Sequence, residues 1–254
     1  MKLTVLGAGT IVPSLEYTQS GYLLEAKNKK PMLLDCGAGK ILRLLQLEIR
    51  AWEIEYIFLT HFHLDHVGDL ASILFSKINP ALPRNPKLYI YGPPSLSQWY
   101  QKLQSLYGSM VEAKYYQLHI EPFEFFETKE IQGMQVTAFP MRHMVEAVGY
   151  RFETQDSSLA YSGDTDYCDE VIELGKNTDL FLLECSLPSE IELFGHLNPI
   201  KAGKIGNKAN TKHLVLTHFY PEVLEEPEKL SQEVRQNYSS RLSLAKDLMR
   251  IDIP

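Results

Sequence analysis

Four side chains that can bind a metal ion fall within six residues in the first third of the chain. They follow the spacing H-x-H-x-D-H and are His61, His63, Asp65 and His66. Imidazole nitrogens and carboxylate oxygens are ligands of zinc and of other divalent transition metals. A cluster of such groups is costly to bury without partners, and a bound metal removes that cost. Because one closed zinc site needs only four ligands in total, this density predicts a site that can hold two ions.

The flanking residues indicate which elements position this cluster. The apolar run at 54–59, IEYIFL, is short, bulky and partly β-branched, and it predicts a buried strand. After Asp65, apolar residues recur three and four positions apart, which predicts a helix. His61 and His63 then leave the strand end two residues apart and point the same way. Each residue alone is more often a core histidine or a helix N-cap, so only the joint spacing favours a metal site.

Length and composition limit the class of protein. The chain has 254 residues, is 44% hydrophobic and contains no apolar run of the roughly 18 residues that a membrane span needs, which predicts a soluble globular protein. Its length allows one large α/β domain or two small ones. Three cysteines without C-x-x-C spacing predict neither a disulfide framework nor a cysteine zinc site, and they favour the cytoplasm. A net charge of −7 disfavours nucleic-acid binding without excluding it.

Strands and helices alternate along the chain, which predicts the α/β class. Residues 79–86 carry three prolines and predict a loop, and the charged tail at 221–250 predicts mostly helix. Asp35 follows a predicted strand and is either a helix N-cap or a carboxylate beside the cluster. The predicted strands lie at 3–6, 21–26, 31–34, 54–59, 88–91, 115–126, 135–139, 148–153, 159–162, 180–183 and 213–217, and the predicted helices at 40–47, 95–113, 167–176 and 200–209.

Three distant residues share one feature with the cluster, because each follows a predicted strand. They are His143, Asp164 and His218. Asp164 alone, in a Gly-Asp-Thr sequence, is more often a turn residue. Together with the cluster, the three complete a two-metal set of nitrogen and oxygen ligands. The endings IFLTHF at 57–62 and LVLTHF at 214–219 are nearly identical, which favours two equivalent strands that bring His61 and His218 to one edge.

These motifs resemble the metallo-β-lactamase superfamily, and within it the branch of ribonuclease Z and related phosphodiesterases. The resemblance covers almost the whole chain and implies a single domain, 1–254, with the four-layer αββα sandwich of the metallo-β-lactamase fold and two metals at one edge. The motifs are VLGAGTIVPS, LLDCGAG, THFHLDHVGD, FPMRH with VGYRFE, YSGDT, LLECS, GHLNPIKAG and VLTHF.

The resemblance also implies a role for each site residue. His61, His63 and His143 bind the first metal, and Asp164 bridges the two metals. Asp65, His66 and His218 bind the second metal, and Asp65 is also expected to be a catalytic residue. His66 and a bridging aspartate argue against the antibiotic-hydrolysing branch, and a histidine at 63 argues against the oxygen-reducing diiron branch.

A further histidine indicates which branch of the superfamily the chain resembles. His196, in GHLNPIKAG, resembles the histidine that assists the leaving group in ribonuclease Z and its phosphodiesterase relatives, although an ordinary surface or helix-cap histidine is the alternative. Glu184 is expected to orient it through a hydrogen bond. His119 and His213 match no motif, and we expect them to be structural.

The expected reaction is phosphodiester hydrolysis by a hydroxide that two divalent ions share, with His196 protonating the departing oxygen. The ligand set suits zinc, manganese or iron, with zinc expected first. Ribonuclease Z usually carries a long Gly/Pro-rich arm, and the compact region at 92–139 has none, which favours a small phosphodiester such as a cyclic nucleotide or an aryl ester. The alternatives are tRNA 3′ processing, an aryl sulfatase or lactonase, and a metal-loaded sensor without activity. Dimers are common in this branch, so a homodimer is one expectation.

Overall fold

The structure is a computed structural model that describes residues 1–12, 14–79, 81–82 and 86–254. Within these ranges the chain forms fourteen strands, with buried apolar side chains in most of them. The strands are β1 (Lys2–Gly7), β2 (Gly21–Glu25), β3 (Met32–Leu34), β4 (Tyr56–Phe58), β5 (Lys87–Gly92), β6 (Gln117–Pro122), β7 (Thr128–Ile131), β8 (Met134–Pro140), β9 (Val148–Glu153), β10 (Ser158–Tyr161), β11 (Leu180–Glu184), β12 (His213–Thr217), β13 (Arg241–Leu244) and β14 (Arg250–Asp252).

The same ranges contain seven α-helices and three short 3₁₀ turns. The helices are α1 (Lys40–Gln46), α2 (Leu64–Val67), α3 (Leu70–Ser76), α4 (Leu96–Tyr107), α5 (Asp169–Gly175), α6 (Pro199–Ala209) and α7 (Pro227–Arg235), and the turns are Ala51–Glu53, Gly108–Met110 and Pro221–Leu224. No helix in the described part of the chain is long and apolar enough to cross a membrane.

Two seven-stranded sheets pack face to face. Their strand orders are β14-β1-β2-β3-β4-β5-β6 and β13-β12-β11-β10-β9-β8-β7. Their facing side chains form one buried core, in which Tyr22 contacts Tyr161 and Phe58 contacts Tyr150. Helices α1, α3 and α4 cover the outer face of the first sheet, and α5, α6 and α7 cover that of the second. The four-layer αββα sandwich predicted from the motifs is confirmed.

Parallel strands explain the unbroken apolar runs. β3 to β6 are parallel in the first sheet, and β10 to β13 are parallel in the second. A parallel sheet is covered on both faces, so β11 and β12 are buried along their full length. The connections leave the carboxyl ends of these strands on one edge. The predicted metal-binding residues lie at that edge.

Local sequence patterns predict the ends of several strands and helices correctly. Strand β9 has the predicted bounds, and α6 begins with an Asn198 side chain that accepts a hydrogen bond from Lys201 N, followed by proline at the first helical position. The predicted strand at 54–59 is shorter, at Tyr56–Phe58. The helix predicted after Asp65 begins one residue before it, and it is divided into α2 and α3. The predicted loop at 79–86 includes residues 80 and 83–85, which lie outside the described residues.

The prediction that the charged tail at 221–250 is mostly helix is wrong. Only Pro227–Arg235 forms an α-helix there, whereas Arg241–Leu244 extends the second sheet and Arg250–Asp252 pairs with β1 in the first. Both are edge strands in which most side chains are exposed or partly exposed, so their sequences lack the apolar run of a buried strand. The short edge strand β7, which pairs with β8, was missed for the same reason.

The repeated ending LTHF does not mark equivalent strands. Each sheet has an antiparallel half followed by a parallel half, so the two sheets do repeat one arrangement. Counting from the antiparallel edge, however, β4 corresponds to β11, and β12 corresponds to β5. The two endings still deliver His61 and His218 to the same edge, as predicted.

Candidate metal centre

The predicted metal-binding residues lie together at the edge where the parallel strands end. His61 and His63 follow β4, His143 follows β8, Asp164 follows β10 and His218 follows β12. Asp65 and His66 lie in α2, directly after the first two histidines. Seven residues from five segments therefore meet in one cluster, and no predicted ligand lies elsewhere.

The first group contains His61, His63, His143 and Asp164, whose candidate ligand atoms all lie within 4.8 Å of one another. His63 Nδ1 lies 3.1 Å from His143 Nε2. Asp164 Oδ2 lies 3.6 Å from His61 Nε2 and 3.7 Å from His143 Nε2. This group has three nitrogens and one carboxylate oxygen facing a common centre.

The second group contains Asp65, His66 and His218, all of them buried. His66 Nε2 lies 3.2 Å from His218 Nε2, and Asp65 Oδ2 lies 3.3 Å from the same His218 atom. The other oxygen of Asp164, Oδ1, lies 3.3 Å from His66 Nε2 and 3.4 Å from His218 Nε2. Asp164 therefore presents one oxygen to each group.

The donor atoms fit two metal ions. His61 Nε2 and Asp164 Oδ1 are buried and have no hydrogen-bond partner among the described residues, which is costly for polar atoms. Zinc binds imidazole nitrogen at about 2.0–2.1 Å, so two ligands of a tetrahedral ion lie about 3.3–3.4 Å apart. The separations of 3.1 Å and 3.2 Å between paired imidazole nitrogens are close to that value. The nitrogen and oxygen donors are those of zinc, manganese and iron sites.

Contacts behind the ligands orient their rings. Asp35 accepts hydrogen bonds from the Thr60 amide, the Thr60 hydroxyl and the Tyr161 hydroxyl, and its Oδ2 lies 2.8 Å from His66 Nδ1. The sequence left Asp35 open between an N-cap and this role, and the structure places it behind His66, while Gly39 is the N-cap of α1. Metal-binding histidines commonly hold their second nitrogen in this way.

The other ligands are held similarly. His143 Nδ1 lies 2.9 Å from the Gly195 carbonyl oxygen, and His218 Nδ1 lies 3.0 Å from the Ser186 hydroxyl. His218 has φ 60°, a left-handed conformation that costs energy for a histidine. Gly163 has φ 58°, and a Cβ there would lie 2.7 Å from Thr60 Cβ. Only glycine lets the backbone directly before Asp164 pass this close to Thr60.

Burial and neighbouring charges shift the pKa values of three buried groups in the cluster, and the direction differs between the groups. Burial, followed by the neighbouring imidazole of His66, holds the pKa of His61 well below its ordinary value. Burial also disfavours a charged His66, but the Asp164 and Asp35 carboxylates outweigh it and raise the pKa of His66 well above the usual range. Burial opposes ionisation of Asp164, and the surrounding histidines outweigh it, so the pKa of Asp164 is well below normal. The Asp164 carboxylate is thus stabilised by positive charge around it.

His196 lies beside the cluster, as predicted. Its ring centroid is 4.9 Å from that of His143 and 5.9 Å from that of His218. Its Nδ1 lies 3.2 Å from Glu184 Oε1, so Nε2 is the ring nitrogen that this carboxylate does not contact. Burial disfavours the charged ring, but the Glu184 carboxylate outweighs burial and raises the pKa of His196 to about 9.

The two histidines expected to be structural lie outside the cluster. His119 stacks on Tyr89 with ring centroids 4.4 Å apart, and His213 Nε2 lies 2.9 Å from the Ser243 hydroxyl. Neither belongs to a group of metal-competent side chains in the described chain.

Two cavities adjoin the cluster. One of about 370 Å³ is lined by Asp65, Asp164, His196 and His218, together with His63, Ile11, Leu64 and Tyr220. The other, of about 620 Å³, is bounded by His61 and His143 and has a mainly apolar wall. That wall comes from four segments of the chain and was not predicted from the sequence. Its residues are Phe62, Pro93, Ser95, Met141, Arg142, Met144, Val145, Glu146 and Phe194.

The chain is similar to several known proteins over most of its length. The protein Rv1339 of Mycobacterium tuberculosis is 29% identical over 229 residues, which cover 87% of this chain and 81% of that protein. A ribonuclease Z of a Picosynechococcus species is 25% identical over 313 aligned positions, covering 100% of this chain and 97% of the enzyme. The metallo-hydrolase YhfI of Bacillus subtilis is 26% identical over 225 residues, which cover 86% of this chain and 87% of YhfI.

The fold and a family model agree with these similarities. The crystal structure of YhfI, a metallo-β-lactamase fold protein, superposes with a TM-score of 0.85 at 24% identity and 99% coverage of both chains. The model of the family described as Anti-Pycsar protein Apyc1 matches residues 1–235, which is most of the chain. The resemblance inferred from the motifs is thereby confirmed. The chain is a metal-dependent hydrolase with the metallo-β-lactamase fold, and it belongs to the family of Anti-Pycsar protein Apyc1.

Proposed function

We propose that this protein hydrolyses small phosphodiesters, such as a cyclic nucleotide or an aryl ester, with two divalent metal ions. The observation that carries the proposal is the cavity of about 620 Å³ that shares His61 and His143 with the metal centre. Small-molecule sites are typically cavities of about 300–1,000 Å³ with mostly apolar walls and a few polar groups. A substrate held there has its ester group next to the ligand cluster.

Each of the two groups of candidate ligands would bind one metal ion. His61, His63 and His143 would hold one ion, Asp65, His66 and His218 would hold the other, and Asp164 would offer an oxygen to each. When bound, the ions make a nucleophile available from water near neutral pH and offset negative charge on the phosphate. Zinc is the ion that we expect first, with manganese and iron as alternatives.

His196 supplies the proton that the departing oxygen needs. Glu184 lies against its Nδ1, which leaves Nε2 to donate, and the Glu184 carboxylate favours the protonated ring by raising its pKa. Asp65 lines the same small cavity, where its carboxylate would accept a hydrogen bond from the attacking water. One side chain thus orients the nucleophile and another assists the leaving group.

A second candidate is tRNA 3′ processing. Similarity to the ribonuclease Z of Picosynechococcus favours it. That alignment spans 313 positions against the 254 residues of this chain, so the enzyme contains insertions that this chain lacks. The net charge of −7 also gives a polyanion little electrostatic attraction. Both observations support the smaller substrate.

A parallel assay tests the proposal. Protein stripped with a chelator and reloaded with zinc or manganese is offered bis(p-nitrophenyl) phosphate, a cyclic nucleotide and a 3′-extended precursor tRNA. We expect turnover of the small esters with the tRNA left intact. His196→Ala should lower turnover of the cyclic nucleotide by about 10²–10⁴-fold, whereas His119→Gln, outside the site, should not. Cleavage of the tRNA alone would favour the second candidate, and no turnover of any substrate would contradict both.

A further inference from the structure

A carboxylate outside the metal centre holds both ends of one loop. Asp247 lies in the short segment between β13 and β14, and its side chain is only 5% exposed. Its Oδ1 atom accepts a hydrogen bond from the Ala8 amide at 3.0 Å, and its Oδ2 atom accepts one from the Thr18 amide at 2.9 Å. Hydrogen bonds to a charged acceptor are stronger than those between neutral groups. Asp247 therefore fixes the two ends of the loop between Ala8 and Thr18.

Other contacts hold Asp247 itself in place. The Arg43 Nη2 atom lies 2.9 Å from Oδ2, and the Thr18 hydroxyl lies 2.8 Å from the same oxygen. Along the chain, the Ala245 amide donates to a carbonyl of β12 at 2.8 Å, and the Leu248 amide donates to a carbonyl of β1 at 2.7 Å. The segment thus crosses from the second sheet to the first, and backbone hydrogen bonds fix it on both sides of Asp247.

One end of the loop contacts the segment that follows His218. Ala8 is fully buried, and its carbonyl oxygen accepts a hydrogen bond from the Phe219 amide at 2.8 Å. Gly9 forms a parallel bridge with Phe219, outside the named strands of either sheet. Ala8 therefore donates to Asp247 and accepts from the residue directly after His218.

His218 depends on such support because its backbone is strained. Its φ of 60° is a conformation that a histidine keeps only where the surrounding structure fixes it. The next two amides are both held, since Phe219 donates to Ala8, and Tyr220 donates to the Ser186 carbonyl at 3.1 Å. A shift of Ala8 would reach His218, whose Nε2 atom lies within 3.4 Å of three other candidate ligand atoms.

The same loop forms part of the wall of the smaller cavity. Ile11 lies between the two held ends and lines this cavity beside His218. The Gly9 amide also donates to the Thr18 carbonyl at 2.8 Å, which joins the ends directly. The loop therefore contacts both the segment of a candidate metal ligand and the space next to it.

We propose that Asp247 is a positioning residue of the metal centre, because it holds Ala8 and thereby sets the position of His218 in the second ligand group. The described contacts of its side chain are with Ala8, Thr18 and Arg43, none of which is a candidate ligand. Asp247 thus acts through the backbone of Ala8 and Phe219. The inference rests on the proposed function, because it requires that the second ligand group binds a metal ion.

The substitution Asp247→Asn tests this role. Three donors, the Thr18 amide, the Thr18 hydroxyl and Arg43, favour the side-chain oxygen of asparagine at the position of Oδ2. Its NH₂ group then faces the Ala8 amide, where two donors meet without an acceptor. Protein stripped with a chelator is titrated with zinc by calorimetry, and we expect two steps in the wild type. Asp247→Asn should weaken one step by about 10–100-fold and leave the other unchanged.

Two further substitutions identify the affected step. His218→Ala should abolish the same step that Asp247→Asn weakens, because it removes a ligand of the second group. The double variant should bind zinc no more weakly than His218→Ala alone, since both changes act on one position. A merely structural role would instead weaken both steps or neither.

Arg43→Met is the matched control. It removes the other partner of the same ion pair but leaves the Ala8 amide paired with Asp247. It should lower the free energy of unfolding in urea and leave both zinc affinities unchanged. Gly9→Ala displaces the loop without changing Asp247, because a Cβ at Gly9 would lie 2.8 Å from the Tyr17 carbonyl oxygen. This variant should weaken the same step as Asp247→Asn.

The outcomes separate this inference from the proposed function. Wild-type affinity in both steps for Asp247→Asn, an equal loss in Arg43→Met, or a single zinc step in the wild type would overturn the inference. If Asp247→Asn does not fold, Gly9→Ala decides, and an unchanged second-group step in that variant overturns the inference. If the second-group step weakens as expected but the wild type hydrolyses no ester, the positioning role holds and the proposed function fails.

Discussion

Oδ2 of Asp35 lies 2.8 Å from Nδ1 of His66, and both side chains are fully buried. This contact fixes which nitrogen of His66 faces the metal centre, and it places a negative charge behind the ring. A carboxylate in this position increases the basicity of the imidazole and commonly contributes 10–100-fold to metal affinity, in order-of-magnitude terms. We therefore expect Asp35 to influence a metal that it does not contact.

Asp35→Asn should weaken binding of the second ion by about 10–100-fold while the first ion is retained. The amide keeps the size of the side chain but removes the charge that faces His66. Metal content after dialysis against defined free zinc, followed by direct titration, measures the effect. Asp156→Asn, at an exposed position, is the control. Two ions bound with unchanged affinity would show that Asp35 has only a structural role.

The cluster of four candidate metal ligands was predictable because its signal is local. His61, His63, Asp65 and His66 lie within a stretch of six residues, and the strand before them is an apolar run that needs no partner to be recognised. The distant candidate ligands were predicted by one rule, since the carboxyl ends of strands in an α/β fold meet at one edge. The rule does not give distances. That Asp164 offers one oxygen to each group is visible only in the structure.

The remaining features depend on pairings between distant parts of the chain. Strand β14 joins β1 through the pairing of Leu3 with Ile251, and no local pattern reports a partner so far away. The larger cavity similarly combines Phe62, Arg142 and Phe194 from three loops, each of which is polar or mixed in sequence. Edge strands and cavity walls are therefore the features that sequence patterns do not predict.

Metal loading should raise thermal stability. A ligand at 100 times its dissociation constant stabilises the folded state by about 2.7 kcal/mol per site, and a chain of this size gains about 2–4 °C per kcal/mol. Two saturated sites should therefore raise Tm by roughly 10 °C or more, measured by calorimetry with zinc and with excess chelator. Asp164→Asn, which removes the carboxylate shared by both groups, should show a much smaller shift. An equal Tm in zinc and in chelator would contradict a structural contribution from metal.

A buried lysine predicts how stability changes with pH. Lys40 is completely buried, and its Nζ atom donates to the Leu6 carbonyl and to the Thr18 hydroxyl. Burial lowers the pKa of Lys40 from 10.5 to about 7, although Asp247 and Asp69 partly offset it. Between these two values the unfolded chain binds a proton that the folded chain does not, so stability rises with pH in that window.

The comparison with Lys40→Met isolates this contribution. The free energy of unfolding in urea is measured at pH 7.5, 8.5 and 9.5 (about 1 unit apart, within the window set by the two pKa values). The wild type should gain about 1.4 kcal/mol per pH unit relative to the variant. Parallel curves for the two proteins would mean that Lys40 is uncharged or charged in both states throughout the window.

Glu184 should act on the leaving group through His196. Its Oε1 atom lies 3.2 Å from His196 Nδ1, while the same carboxylate accepts from the Thr165 and Leu197 amides. Glu184→Gln should lower kcat by about 10–100-fold for a cyclic nucleotide, whose departing alkoxide needs a proton, and by much less for bis(p-nitrophenyl) phosphate. A p-nitrophenolate leaves readily without protonation, so the two substrates separate proton donation from general damage to the site.

The pattern across substrates, rather than the size of either loss, decides this prediction. KM and bound metal should stay close to the wild-type values, because Glu184 belongs to neither ligand group. His196→Ala should show the same substrate dependence, and the double variant should be no worse than His196→Ala alone. Glu130→Gln controls for loss of an exposed carboxylate. Equal losses for both substrates would instead assign Glu184 to holding the backbone at Thr165 and Leu197.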